Sequence, residues 1–125
     1  MKKKILIISG GISKERLISL ETGKEVSKEL KKNGYKVLTS EPNLELSKNL
    51  RKYKPNCILH LAGLSRPMKI HEKNIGKSIE LNLIGTCNLV NEDSKLGIKI
   101  IYISTSYIYT VIKRNYKEEI YQKPW

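Results

Sequence analysis

The residues best suited to chemistry in this sequence are three consecutive hydroxyl side chains, Ser104, Thr105 and Ser106. They follow an apolar, β-branched and aromatic run that begins at Ile98, which predicts a buried parallel strand. Open α/β sheets bind ligands at the carboxyl ends of their strands, so hydroxyls delivered there can hydrogen-bond a ligand. Serine and threonine also form turns after strands. Residue types alone therefore leave two interpretations open, a ligand-binding edge and a simple turn.

A pair of glycines, Gly10 and Gly11, ends the first apolar run of the chain. Glycines after a strand let backbone N–H groups and the start of the next helix, which Ser13 can cap, approach an anion such as phosphate. The Gly-x-Gly-x-x-Gly spacing of dinucleotide-binding loops is incomplete, because Ser13 and Arg16 stand at the later glycine positions. A phosphate loop and an ordinary tight turn are both compatible with this segment.

The remaining candidates carry weaker signals. Glu41 follows the second apolar run, where it can accept a ribose hydroxyl or be a solvated turn acid. His60 and His71 are the only histidines and are isolated, so we predict no metal site, and His60, inside an apolar run, is expected in the core. Tyr109 and Lys113 have a Tyr-x-x-x-Lys spacing, but they fall at a strand end and in the loop beyond it. We therefore attribute that spacing to chance.

Four apolar runs predict the strands that position these residues, and segments with apolar side chains at helical spacing separate them. The runs cover residues 5–9, 35–40, 57–62 and 98–109. The last helical segment spans about 70–95, and its stripe consists of Ile75, Ile79, Leu83 and Val90. Repeated βα units argue for an α/β fold with a parallel sheet covered by helices. We expect one domain over residues 1–125, with 110–125 as a loop or tail.

The composition is that of a soluble globular domain, with 39% hydrophobic and 29% charged residues. The formal charge of +12 suggests nucleic acid or an anionic membrane, but the lysines are spread along the chain and arginines are few. We therefore predict no nucleic-acid partner and no membrane partner. Cys57 and Cys87 form no metal-binding pattern and are expected to be free thiols. The apolar run after the N-terminal lysines is too short for a signal peptide, so we expect a cytoplasmic protein.

Three segments in order carry a family resemblance: 54–63 (KPNCILHLAG), 82–90 (NLIGTCNLV) and 101–109 (IYISTSYIY). Together they make the chain from about residue 55 to residue 125 similar to the extended short-chain dehydrogenase/reductase family. The likeness is greatest to its nucleotide-sugar epimerases, its dehydratases and its dTDP-4-dehydrorhamnose-reductase-like members. The resemblance implies a three-layer, Rossmann-like parallel sheet of about four strands in the order 2-1-3-4. It also implies NAD or NADP as cofactor and a nucleotide-sugar substrate. The full-length enzyme of this family can form a homodimer.

The resemblance also implies roles for individual residues. Thr105 matches the catalytic Ser/Thr that hydrogen-bonds the substrate oxygen undergoing hydride chemistry, and Ser106 would contact substrate. The cofactor would lie against Gly10, Gly11, Ala62, Gly63, Asn82 and Ser104. The family's catalytic Tyr-x-x-x-Lys lies on the next helix, which the sequence does not reach before Trp125. We therefore expect an NAD(P)-binding fragment that is inactive alone.

The N-terminal part has a different resemblance. Residues 10–26 (GGISKERLISLETGKEV) are similar to the opening of D-alanine–D-alanine ligases, and the likeness covers about residues 4–56. In those ligases the Ser-x-Glu motif helps to hold the first D-alanine, which would give Glu15 a substrate role. No ATP-binding part follows in this sequence. The two resemblances meet near residues 54–57, and a non-catalytic nucleotide- or partner-binding module is a further alternative.

Overall fold

The computed structural model describes residues 2–63 and 72–103 of the chain. The strands are β1 (Lys4–Ile8), β2 (Lys36–Ser40), β3 (Cys57–His60) and β4 (Lys99–Tyr102). The helices are α1 (Arg16–Lys32), α2 (Leu46–Tyr53), α3 (Ile75–Ser78) and α4 (Gly85–Leu96), and a π-helical segment, Ile79–Ile84, joins α3 to α4.

All described strand pairs are parallel, and the sheet has the order β2-β1-β3-β4. The predicted order 2-1-3-4 and the α/β Rossmann-like arrangement are thus confirmed. The chain moves to one side from β1 to β2 and then crosses back to β3. This reversal creates a switch point between β1 and β3, where neighbouring connections leave in opposite directions.

The core lies mainly on the face of the sheet that α2 and α4 cover. Leu6 and Ile8 of β1 and Ile58 of β3 are fully buried there, against Leu50 of α2 and Leu89 of α4. Both helices follow connections that run in the same direction along the sheet, so right-handed crossovers place them on the same face. α2 and α4 therefore form the helical layer on this face of the sheet.

The opposite face of β1 packs against α1. Ile7 is fully buried there and Ser9 is nearly so. Gly23 of α1 lies so close to the Ser9 side chain that a Cβ at this position would collide with the Ser9 Oγ atom. A glycine is therefore required for α1 to approach the sheet this closely.

The segment between the two sequence resemblances is bonded into the sheet on both sides. The Asn56 N–H donates to the Lys4 carbonyl over 2.9 Å, and the Lys4 N–H donates to the Asn56 side-chain oxygen over 2.8 Å. On the other side the Lys99 N–H donates to the Asn56 carbonyl over 3.2 Å. Asn56 therefore fixes the starts of β1 and β4 relative to β3.

The predicted helical segment over 70–95 is present in the described residues from 72 onward, but its apolar stripe is not buried. Ile75, Ile79, Leu83 and Val90 are all exposed, and the buried positions of α4 are Leu89 and Asp93. The Gly85 N–H donates to the Glu80 carbonyl, five residues back. Such π-type bonds add a residue to the turn, so side chains at α-helical spacing rotate away from a common face. The residues of this stripe therefore do not form the buried face of the segment.

The strand predicted over 98–109 is described only as far as residue 103, and β4 covers Lys99–Tyr102. It is less buried than its sequence predicts, because Ile101 and Tyr102 are each about half exposed. In the described part of the sheet β4 has a single neighbour, β3, so one of its edges lacks a partner strand. The predicted loop or tail over 110–125 lies outside the described residues.

Two further features of the described residues concern membrane spans and metal sites. Their helices include none with both the length and the apolar content needed to cross a bilayer. The same residues bring together no group of three histidine, cysteine, aspartate or glutamate side chains that could bind a metal ion. Cys57 and Cys87 are both free thiols.

Candidate functional site

Two loops face each other at the switch point, one after β1 and one after β3. Gly10 and Gly11 have φ angles of +88° and +105°, a left-handed region that glycine adopts without strain. The Gly10 N–H donates to the Ser19 hydroxyl of α1 over 2.9 Å, which ties this loop to the helix that follows it. The second loop contains Ala62 and Gly63, and the Leu61 N–H donates to the Ile8 carbonyl over 2.8 Å. The sheet therefore holds both loops at its carboxyl edge.

A cavity of about 370 Å³ lies between these two loops. Gly11 lines it on one side and Ala62 and Gly63 line it on the other, while Glu80 and Asn88 contribute from the helical segment above. Its volume falls within the usual range for small-molecule sites, about 300–1,000 Å³. The cavity combines an apolar floor with a few polar groups at its rim, which is the usual composition of a ligand site.

Some of the predicted cofactor-binding residues line this cavity, and others lie next to it. Gly11, Ala62 and Gly63 line its wall, whereas Gly10 lies one residue behind, in the same loop. Asn82, in the π-helical segment, lies next to the second loop, since a Cβ at Gly63 would be 3.5 Å from its Oδ1 atom. The structure therefore brings the glycine loop, the Ala62–Gly63 loop and the Asn82 helix together at one edge. Their roles in cofactor binding stay predictions.

The three consecutive hydroxyl residues after β4, Ser104, Thr105 and Ser106, lie outside the described residues. The direction of β4 is nevertheless clear, because β3 and β4 are parallel and His60 pairs with Tyr102. Glu15, the substrate residue of the ligase resemblance, is exposed immediately before α1, and its N–H donates to the Ser13 hydroxyl over 3.2 Å. Glu15 itself is the N-cap of α1 and no side chain caps the helix, so Ser13 closes a turn before α1 and does not cap it as the sequence predicted.

Glu41 lies beside the glycine loop but is neither a solvated acid nor a free acceptor. Its carboxylate forms two hydrogen bonds with the Arg16 guanidinium, of 2.8 Å and 2.6 Å, and accepts the Gly11 N–H over 3.3 Å. The Arg16 hydrogen bond is the main cause that lowers the pKa of Glu41, and the Gly11 N–H adds to it. We call these three residues the Arg16–Glu41 clamp. Sequence spacing gave no sign of it, because the partners lie 25 positions apart.

His60 forms part of the cavity wall, a position that the sequence analysis did not anticipate. It is 8% exposed, its Nε2 atom lies 3.4 Å from the Thr86 hydroxyl, and its ring is 5.5 Å from that of Tyr102. Its Nδ1 atom is buried and has no hydrogen-bond partner. Burial lowers the pKa of His60, which favours the neutral imidazole at pH 7. The core position was expected, but the unpartnered nitrogen beside a cavity was not.

The fold and the paired loops at the switch point agree with the result of a family comparison. The chain matches the RmlD substrate binding domain family over residues 21–125. The chain belongs to this family. The match begins within α1, earlier than the predicted boundary near residue 55, and so includes the rest of α1, β2 and α2. The family assignment supports a domain related to nucleotide sugars and confirms the predicted dehydrogenase/reductase resemblance.

Individual relatives give a second relationship. A D-alanine–D-alanine ligase of Pelagibacter ubique is 70% identical over 60 residues, which are 48% of this chain and 20% of the ligase. A ligase of the same name from Syntrophotalea carbinolica is 41% identical over 51 residues, 41% of this chain and 17% of the ligase. The chain thus spans about a fifth of the ligases that it matches. These similarities confirm the predicted ligase resemblance of the N-terminal part.

A third relative spans more of this chain. The β subunit of methionine adenosyltransferase 2 from Xenopus tropicalis is 27% identical over 116 residues, 82% of this chain and 34% of that protein. The similarity therefore crosses the segment near residues 54–57 at which the two resemblances meet.

Proposed function

We propose that this chain is the NAD(P)-binding domain of a nucleotide-sugar epimerase, dehydratase or reductase of the extended short-chain dehydrogenase family. The observation that carries the proposal is the cavity at the switch point between the glycine loop and the Ala62–Gly63 loop. Ligands of open α/β sheets bind in the crevice at this point of the topology. The family match over residues 21–125 supports the nucleotide-sugar class.

The residues around the cavity fit a dinucleotide in two respects. Gly10 and Gly11 lie at positive φ angles and carry no side chains, so the backbone is open where a pyrophosphate would approach it. Arg16 supplies a cation beside the same loop, and Glu41 can turn its carboxylate toward a ribose hydroxyl. For the Gly11 N–H to bind phosphate, Glu41 must first release it. The Arg16–Glu41 clamp is therefore the part of the site that rearranges when the ligand binds.

The bound dinucleotide would supply hydride transfer to or from a sugar carbon. The role of this chain is to bind and orient it, with Asn82 beside the cofactor and Thr105 as the hydroxyl that would hydrogen-bond the substrate oxygen. The neutral His60 keeps positive charge away from the floor of the cavity. None of the described residues matches the Tyr-x-x-x-Lys pair that supplies the proton in this family. We therefore propose cofactor binding, and not catalytic turnover, for this chain. A homodimer is proposed only for the full-length enzyme.

Thermal unfolding with and without NAD and NADP tests the proposal, since a ligand that binds only the folded state raises its stability. We expect at least one dinucleotide to raise the melting temperature in a concentration-dependent way. If neither shifts it at saturating concentration, the proposal is wrong.

Two glycine variants test whether the dinucleotide binds at this cavity. Gly11→Ala places a methyl group at the cavity, 3.7 Å from Pro42, at a φ of +105°. Gly34→Ala imposes a comparable backbone strain at a φ of +85°, with no atom within 4 Å and far from the cavity. Each change should cost about 1 kcal/mol in stability. Only Gly11→Ala should weaken dinucleotide binding, and equal binding by both variants would place the ligand elsewhere.

A second candidate function rests on the ligase similarity, which reaches 70% identity over 60 residues. In this alternative Glu15, exposed at the start of α1, would contact D-alanine. Isothermal titration with D-alanine, with Glu15→Gln as the variant and Glu21→Gln as the control on the same helix, separates the two candidates. Heat from D-alanine binding that Glu15→Gln abolishes, together with no response to dinucleotide, would favour the ligase alternative.

A further inference from the structure

The basic residues of the described chain are concentrated at one edge of the sheet, the edge where the parallel strands begin. The helices run antiparallel to the strands, so their C-termini lie at this edge as well. We call it the amino edge. Its basic residues are Lys2, Lys3, Lys4, Lys31, Lys32, Lys36, Arg51, Lys52, Lys54, Lys95 and Lys99.

The charge at the amino edge is poorly balanced. Within the described residues, the exposed acids nearby are Glu29 and Glu92, and these pair with Lys32 and Lys95. Asp93 is fully buried, and burial raises the pKa of its carboxyl to about 6. The opposite edge, which holds the cavity, mixes both signs. Its basic residues are Lys14, Arg16, Lys48, Lys73 and Lys77, and its acids are Glu15, Glu41, Glu45, Glu72 and Glu80.

Helix stability accounts for only part of this pattern. Cations at helix C-termini interact favourably with the helix dipole, which explains residues such as Lys31, Lys52 and Lys95. No such effect favours lysines at the first positions of strands. Lys4 and Lys36 are direct partners in the register of β1 and β2, and like charges placed side by side repel. Lys4 relieves this by donating to the Tyr53 carbonyl, over 3.1 Å, whereas Lys36 stays exposed.

The excess charge is large compared with the opposing dipoles. Each helix C-terminus carries the equivalent of roughly half a negative charge. Three such ends, from α1, α2 and α4, offset less than two of the eleven basic side chains. The amino edge therefore keeps a strong positive potential that extends about a Debye length, roughly 10 Å, into solution.

The spread of lysines along the sequence predicts no membrane partner, but the fold gathers many of them at one edge. We propose that the amino edge docks on the surface of an anionic lipid bilayer. The starts of four parallel strands, spaced about 4.8 Å apart, and three helix ends lie side by side at this edge. Their ammonium groups form an array that is complementary in charge to the phosphates of an anionic lipid surface. The lysine-rich composition favours this partner, because a bilayer requires point charges only, whereas nucleic-acid recognition favours arginine. Arg51 is the single arginine among the described residues of the edge.

The docking needs no insertion into the bilayer. Among the described residues, the basic side chains of the edge, Lys4 apart, are exposed, and the exposed large apolar side chains near them are Tyr35 and Leu96 rather than a continuous stripe. The association is accordingly electrostatic, reversible and sensitive to salt. It would leave the cavity at the opposite edge of the sheet facing the solution.

Vesicle co-sedimentation of the full chain tests the proposal, with phosphatidylcholine vesicles that contain or lack phosphatidylglycerol. Two variants remove the same number of charges. One carries Lys3→Gln, Lys36→Gln, Lys54→Gln and Lys99→Gln at the amino edge, and the matched control carries Lys14→Gln, Lys48→Gln, Lys73→Gln and Lys77→Gln at the carboxyl edge. Circular dichroism melts establish that both are folded before binding is compared.

We expect binding to the phosphatidylglycerol vesicles only, with loss at high salt. The amino-edge variant should lose roughly a hundredfold or more in partitioning, since each lysine near an anionic surface contributes about 1 kcal/mol. The control variant should bind nearly as the parent chain does. Equal losses in both variants, or no binding at all, would overturn the proposal. Tighter binding to a duplex oligonucleotide than to the vesicles at the same salt would assign the edge to nucleic acid instead.

Discussion

One row of side chains across the sheet shows how differently its two sides are built. Ile7, Leu59 and Ile101 are consecutive register partners on β1, β3 and β4, on the same face. Ile7 is fully buried, Leu59 is partly buried and Ile101 is 49% exposed. The ligase-like side therefore has a complete covering layer where α1 packs, whereas the described residues on the β4 side leave an apolar row half open.

Identical residues on the same kind of element can therefore contribute different amounts to the free energy of unfolding. Isoleucine is a strand former in both places, but its stabilisation depends on the area that it removes from water. On β1 that area is buried between two layers. On β4 about half of it stays in contact with solvent, so we expect folding energy to be concentrated around β1.

The largest expected effect is therefore a contrast between two identical substitutions. Ile7→Ala should destabilise the fold by about 2–5 kcal/mol, because it removes buried methyl groups and leaves a cavity. Ile101→Ala should cost less than about 1 kcal/mol, since its side chain is already half hydrated. Urea unfolding followed by circular dichroism measures both. Similar losses would show that the β4 side is covered as well as β1.

The second prediction concerns the buried Asp93, whose two oxygens have no hydrogen-bond partner. Burial, with a smaller contribution from Glu92, raises the pKa of Asp93 from 3.8 to about 6. The folded state therefore holds this proton more tightly than the unfolded state. Stability from this group is fully present below pH 3.8 and is lost as the pH rises to about 6, by up to about 3 kcal/mol.

Asp93→Asn keeps the shape of the side chain and removes its ionisation. At pH 7 it should be more stable than the parent chain, by an amount approaching that 3 kcal/mol. Glu92→Gln is the neighbouring control, because Glu92 is exposed and its hydrogen bond with Lys95 lowers its pKa. A stability profile measured from pH 3 to pH 8 should lose its downward step only in Asp93→Asn. If the step persists there, another group causes it.

The smallest effect on stability is expected at the Arg16–Glu41 clamp, which bridges α1 and the end of β2. Its side chains are 46% and 29% exposed, and such surface pairs contribute little to folding. Glu41→Gln should change the melting temperature less than either Ile7→Ala or Asp93→Asn. It should nevertheless strengthen anion binding at the glycine loop, since it frees the Gly11 N–H and the Arg16 guanidinium.

Phosphate titration, followed by amide chemical shifts of the glycine loop, measures that second consequence. Glu45→Gln serves as its control, because Glu45 pairs with Lys48 on α2 and has no hydrogen bond to the loop. An unchanged response in Glu41→Gln would mean that the clamp does not compete with anions.

The parallel sheet could be predicted from local signals, because alternating strands and helices indicate βα units, and Asn33-Gly34, a common helix stop, directly follows the end of α1 at Lys32. The strand order could be predicted only through the family resemblance, which segments 54–63, 82–90 and 101–109 carry. Local periodicity is displayed directly by the sequence, whereas the order of strands is not.

Other features depend on long-range contacts that no periodicity encodes. The Arg16–Glu41 clamp joins residues 25 positions apart, and the unpartnered Nδ1 of His60 follows from how α4 packs on β3. The π-helical hydrogen bonds change which side of the last helical segment is buried, so the spacing from Ile75 to Val90 does not identify the buried residues. Burial on β4 was overestimated because its apolar sequence does not say how many neighbours the strand has.

The three hydrogen bonds of Asn56 have a consequence for sequence variation in the sheet. They involve the backbone and a single side chain, so they set the alignment of β1, β3 and β4 without reference to the apolar residues that the strands carry. The apolar positions of these strands can therefore be substituted while the sheet keeps its hydrogen-bond ladder.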